Sequence, residues 1–296
     1  MEQLELNKQQ QITNIITARY SRHAQTALDG YFKAFGLDKE TIEEIIRGLE
    51  ELIENPLEYP GYVIPESAEI NRRKLLPILQ KQIEDLRSSR DEDLKASTEA
   101  LFVKNNRLIK YCTYRWLLAN AGVAIEIMQV KEKLPADFKT WLAQNFDVHV
   151  SDQIIHRHVI SNEERNKLKE WGIETPYENW DEEYYKAAMR DIQQMLLSNP
   201  ESKGILSDGS WTYNPRLFDI ASDGKPYASF TFLKDDKYTG HRFFLITATP
   251  DNDQAVQLEF AKGSERRKRF IESGELKVDV YGIFYPRDEV LAQDFN

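Results

Sequence analysis

The feature that most constrains this chain is a change of hydrophobic period near "SNPESKG", Ser198 to Gly204. On its N-terminal side apolar residues recur at helical spacing, as in Ile42, Ile45, Ile46, Leu49, Leu52 and Ile53, with acidic residues between them. On its C-terminal side aromatic and β-branched residues alternate with others in "YASFTFL", "HRFFLITAT", "AVQLEF" and "LKVDVYGIFY". Helical spacing builds a stripe that packs on other helices, whereas alternation builds a face of a sheet. The chain is therefore expected to be an α+β protein of several domains: an all-α helical domain over 1–199, then a small all-β domain over 200–296.

Within the first part, further helices are expected over Gln9 to Phe35, Glu69 to Arg87, Leu94 to Glu132 and Asp181 to Leu197, with breaks at "NPLEYPGYVIPES" and "KLPADF". Pro77 should kink the second of these or mark a boundary, because proline lacks the backbone donor and crowds the preceding turn. The most apolar segment, "LLANAGVAIEIMQV", is too short to span a bilayer, and Arg115 and Glu126 lie beside or within it. It reads as a buried helix, and no membrane partner is expected.

Charge and cysteine content narrow the function. The formal net charge is -10, so no overall basic field draws polyanions, and any nucleic-acid site must be local. Cys112 is the single cysteine, which excludes an intrachain disulfide and a cysteine-built metal cluster. With an N-terminus, "MEQLELNKQQQITNII", that lacks a basic start and an apolar run, a cytoplasmic location is expected. No Walker loop, G-x-S-x-G elbow, H-E-x-x-H pair or dinucleotide fingerprint occurs, so neither an enzyme nor a cofactor is expected.

In the C-terminal part, Asp223-Gly224 suits a tight hairpin turn because both residues tolerate positive φ, and Lys225-Pro226 leads from it into an alternating strand. The segment "ILSDGSWTYNPRLFDIASDGKPYASFTF" resembles the opening of the bacterial single-stranded DNA-binding proteins, with Gly209, Asn214, Pro215, Gly224, Lys225, Pro226, Ala228 and Phe230 at matching places. "HRFFLIT" is similar to a strand of that family and "FIESGELKVDVYGIF" to its closing segment, so the likeness runs over about residues 203 to 287. Tyr238 falls where the family often has a stacking aromatic. Gly240 and Ile246 stand where it commonly has tryptophan and phenylalanine.

The resemblance implies an OB-fold barrel that binds single-stranded DNA, with RNA as the variant ligand, in replication, recombination or repair. It also implies other replication or repair proteins as partners and a homo-oligomer. Such a groove stacks bases on aromatic rings while basic side chains follow the phosphates. The expected stacking residues are Trp211, Phe230, Phe232, Tyr238, Phe243, Phe244, Phe284 and Tyr285; the phosphate-binding residues are Lys225, Lys234, Lys237, Arg242, Arg266, Arg267, Lys268 and Arg269. The alternative is an OB-fold that serves as a protein-interaction or structural module in a larger assembly.

Two other groups bear on chemistry. His156 and His158, one residue apart, would need His149 or Glu163 to complete a metal set, and no metal is expected there. Lys104, Arg107, Tyr111, Tyr114 and Arg115 share adjoining helical faces, and are read as packing around a buried helix.

Overall fold

The computed structural model describes residues 2–18, 21–56, 62–119, 123–129, 134–160, 162–176, 182–210, 221–222, 225–226, 240–248 and 278–295. The chain forms two compact units, one of residues 1–124 and 160–175, the other of residues 125–159 and 176–296.

The first unit is built on helices α1 (Glu2–Ile16), α2 (Ser21–Phe35), α3 (Lys39–Glu54) and α4 (Glu66–Arg87). Its remaining helices are α5 (Leu94–Glu99), α6 (Asn106–Thr113) and α8 (Asn162–Glu170), with a π-helical turn, Ala100–Lys104, joining α5 to α6. Sequence dictates α3 directly. Asp38 caps it by accepting the Thr41 N–H at 2.8 Å, and Ile42, Ile45, Ile46, Leu49 and Ile53 line the face it buries. Each such side chain removed from water stabilises the fold by about 1.5–3 kcal/mol. Gly48 sits where α1 crosses, so close to Ile12 that a Cβ would collide with that side chain. Helix α4 runs through Pro77 without ending.

Buried polar groups bolt the helices of this unit together. The Asn71 amide of α4 donates to the carbonyls of Leu117 and Leu118 at 3.2 and 3.3 Å, and Arg72 donates to Cys112 O at 3.0 Å and to Ile53 O.

The second unit has a layered core. Strand β3 (Gln153–Val159) runs parallel to β4 (Gly204–Ser210), with Ile155 opposite Ile205 and His156 opposite Leu206. Strand β8 (Val278–Pro286) pairs antiparallel with β4 and also with β7 (His241–Ala248), placing Leu206 and His241 on either side of Phe284. With β1 (Trp116–Leu117) and β2 (Val123–Gln129) the order is β1-β2-β3-β4-β8-β7, an open mixed sheet. The short strands β5 (Ala221–Ser222) and β6 (Lys225–Pro226) pair separately, with Ser222 opposite Lys225.

Helix α7 (Ala136–Phe146) covers one face of this sheet, where Phe138, Leu142, Ile154, Leu206 and Phe284 are fully buried together. Phe138 stacks on Phe243 at 5.0 Å with the rings 11° apart. On the other face lies α9 (Glu182–Ser198), and beside it α10 (Arg287–Ala292). The Arg157 guanidinium lies over the Tyr185 and Tyr285 rings at 5.6 and 5.4 Å, and Tyr185 donates to the Tyr285 hydroxyl at 3.3 Å. Arg287 closes the C-terminal end of α9 by donating to Leu196 O and Asn199 O at 2.7 and 2.9 Å.

These observations correct the expected fold class. The chain is mixed α/β, with ten α-helices among the described residues, and its strands are spread along the sequence instead of being confined to a C-terminal barrel. The OB-fold barrel fails for a topological reason: β4 lies between β8 and β3, so the C-terminal strands extend an open sheet begun by residues 116–159. The expected buried helix over "LLANAGVAIEIMQV" contains β2, and 153–159, inside the expected all-α region, is β3.

Candidate metal centre

Strand geometry selects the candidate site. Successive side chains of β3 point to opposite faces, so His156 and His158 share one face while Arg157 occupies the other. The histidine rings lie 4.2 Å apart, centroid to centroid, with their planes 51° from one another. His156 is 3 % exposed.

Neighbouring β2 contributes the third group. Val123, Ala124 and Ile125 are buried, and Glu126 follows them at only 8 % exposure, the one charged residue of the strand. Its Oε2 stands 3.1 Å from His158 Nε2. One ligand atom each from Glu126, His156 and His158 lie within 4.8 Å of one another.

This donor set has a definite chemistry. Imidazole nitrogen and carboxylate oxygen bind zinc at about 2.0–2.2 Å, so tetrahedral ligand atoms stand about 3.4 Å apart. The Glu126–His158 pair is already near that spacing at 3.1 Å, and a His156 ring nitrogen lies within 4.8 Å of both. Two imidazoles and one carboxylate suit Zn(II), Fe(II) or Co(II), and leave coordination positions for water or substrate.

Of the other candidate ligands named from the sequence, His149 is the one whose side chain is described, and it stands apart from this group. His149 lies in an exposed turn, with Nε2 2.8 Å from Asp147 Oδ1 and its backbone N–H donating to Asp152 Oδ2 at 2.7 Å. The Glu163 side chain lies outside the described residues. Burial pushes the Cys112 thiol up to about 12, so it stays protonated near neutral pH.

In the first unit Tyr111 donates to Glu164 Oε1 at 3.0 Å, and Arg107 Nη1 lies 2.6 Å from the same oxygen. Burial, then the Glu164 charge, holds the Tyr111 hydroxyl well above its ordinary range, so it remains a neutral donor. Of the five residues on these helical faces, Tyr111, Tyr114 and Arg115 are buried, Arg107 is half-buried and Lys104 is exposed.

The residues expected to bind nucleic acid separate into three groups. Phe243, Phe284 and Tyr285 belong to sheet packing, the first two against α7 and the third against Arg157 and Tyr185. Phe244 is 50 % exposed, edge-on to Tyr281 at 5.7 Å; Arg242 is half-buried on the same strand, and Lys225 lies in β6. Trp211, Phe230, Phe232, Lys234, Lys237, Tyr238, Arg266, Arg267, Lys268 and Arg269 lie outside the described residues. Gly240 has φ 53°, and a Cβ there would approach Ile283 and the Tyr285 ring to 2.7 Å. A larger residue at that position would have to displace the wall of the sheet, which gives the glycine a physical reason.

The third ligand was hidden from sequence reasoning by its distance: Glu126 and His158 are 32 positions apart. Two local signals were present, a His-x-His pair whose spacing puts both rings on one strand face, and a lone carboxylate in a buried apolar run. No protein-family model matches this chain, and neither the curated proteins nor the solved structures contain a match. Among the described residues no helix is long and apolar enough to cross a membrane.

Proposed function

We propose that this protein binds one divalent transition-metal ion through Glu126, His156 and His158. The observation that carries this reading is the convergence of two imidazoles and a carboxylate within 4.8 Å at a largely buried point of the sheet. Its three-ligand composition supports a reactive centre, in which an open position holds water or substrate, over a closed four-ligand structural one. The ion would act as a Lewis acid and lower the pKa of its bound water.

Titration of the metal-stripped protein with Co(II) tests this reading. One equivalent should produce the visible absorption of a low-coordinate nitrogen and oxygen site, and Zn(II) should displace it. Glu126→Gln and His156→Ala should each weaken binding by at least about 100-fold. Saturation unaffected by either substitution would sink the proposal.

Single-strand binding is a second reading, supported by the sequence resemblance and by one observation, the exposed Phe244 ring beside Tyr281. Stacking contributes about 1–3 kcal/mol per base, so Phe244→Ala should weaken binding of a labelled oligo(dT) by roughly 5- to 150-fold. Absence of saturable, salt-sensitive binding by the full chain would remove this reading.

A further inference from the structure

We infer that metal loading clamps the two strands on which the chain crosses between its compact units, so that occupancy of the centre sets the rigidity of those crossings. This rests on the metal-binding reading above. The chain leaves the first unit between Ala124 and Ile125 and returns between Val159 and Ile160. Glu126 is the second residue beyond the first crossing, and His158 is the second before Ile160. The first crossing falls within β2 and the second at the end of β3, and these strands are neighbours in one sheet.

The chemistry of the clamp follows from where the ligands originate. A metal bound by His156 and His158 alone would tie β3 only to itself. Glu126 makes the difference, because a set drawn from both strands cannot stay complete if β2 and β3 separate near the crossings. Strands of seven residues open locally by breaking a few backbone hydrogen bonds, and amide exchange reports that opening. An ion that binds the closed ladder and not the opened one suppresses opening by the factor 1 + [L]/Kd. At 100 times the dissociation constant this is about 100-fold. The third crossing, between Thr175 and Pro176, carries no member of the ligand set and serves as an internal control.

The test is hydrogen–deuterium exchange of the full chain, stripped with a chelator and then supplied with Zn(II) at about 100 times the dissociation constant from the Co(II) and Zn(II) titrations. Exchange should slow by up to about 100-fold over 123–129 and 153–159, and remain unchanged in α3 and over 173–176. Glu126→Gln, which keeps the shape of the side chain, should abolish the slowing, as should His156→Ala. Saturable one-to-one metal binding with no slowing in the two strands would overturn the clamp and leave the metal site standing. Failure of the titration itself would overturn both.

Discussion

In the first unit Asn71 and Arg72 aim their nitrogens at the carbonyls of Leu117, Leu118, Cys112 and Ile53, whereas in the second unit Glu126, His156 and His158 bring their ligand atoms to one point. Both arrangements bury polar groups in an apolar frame. A side chain that satisfies backbone carbonyls completes the hydrogen bonding of the fold. Side chains of complementary ligand type that converge on one another instead outline a place for an ion.

The apolar frames themselves should be equivalent, and this gives the largest expected effects. Phe102 and Phe284 are both fully buried, so Phe102→Ala and Phe284→Ala should each cost about 3–5 kcal/mol in urea unfolding. A cost below about 1 kcal/mol in either would show that its core is not packed as described.

Next in size is the effect of metal, which should separate the units. At 100 times its dissociation constant Zn(II) should stabilise the wild type by about 2.7 kcal/mol and Glu126→Gln by a negligible amount. Asn71→Ala, by contrast, should cost about 1–3 kcal/mol with or without metal, because it leaves the Leu117 and Leu118 carbonyls without their buried donor. Metal dependence of the Asn71→Ala penalty would show that the two buried polar groups are coupled.

The smallest effect is on the surface of the first unit. Arg87 binds Glu43 and Glu50, joining α4 to α3, and its hydrogen bonds hold the Glu43 carboxyl below its ordinary value of 4.5. A lowered folded pKa adds stability that is complete above the ordinary value and is lost as pH falls through the folded one. These side chains are 36 to 46 % exposed, so solvent screening keeps the contribution under about 1 kcal/mol. Arg87→Met should therefore lower stability slightly at pH 7 and flatten its fall between about pH 5 and 3. An unchanged acid limb would show that the ion pairs do not persist in solution.

The same two regions mark how far the sequence could be read. Helix α3 was legible because its isoleucines and leucine repeat on one stripe with glutamates between, and those residues are the ones buried. Strand β2 was not, since Val123 to Glu126 are buried in succession and a strand covered on both faces loses the alternation that would identify it. The C-terminal strands β7 and β8 were legible as strands, but their sheet partners were not. Pairing of β4 with β3 joins residues about fifty positions apart, which local pattern does not encode. One of the three members of the candidate site shared that fate: the histidine pair is visible in three consecutive residues, while Glu126 becomes its neighbour only through the sheet.

Anomalous diffraction at the zinc edge, from crystals of the full chain soaked in Zn(II), tests the central claim most directly. A peak should stand about 2.0–2.2 Å from a Glu126 oxygen and from one ring nitrogen each of His156 and His158. Fully ordered side chains with no peak among them, at zinc concentrations that saturate the protein in solution, would contradict it.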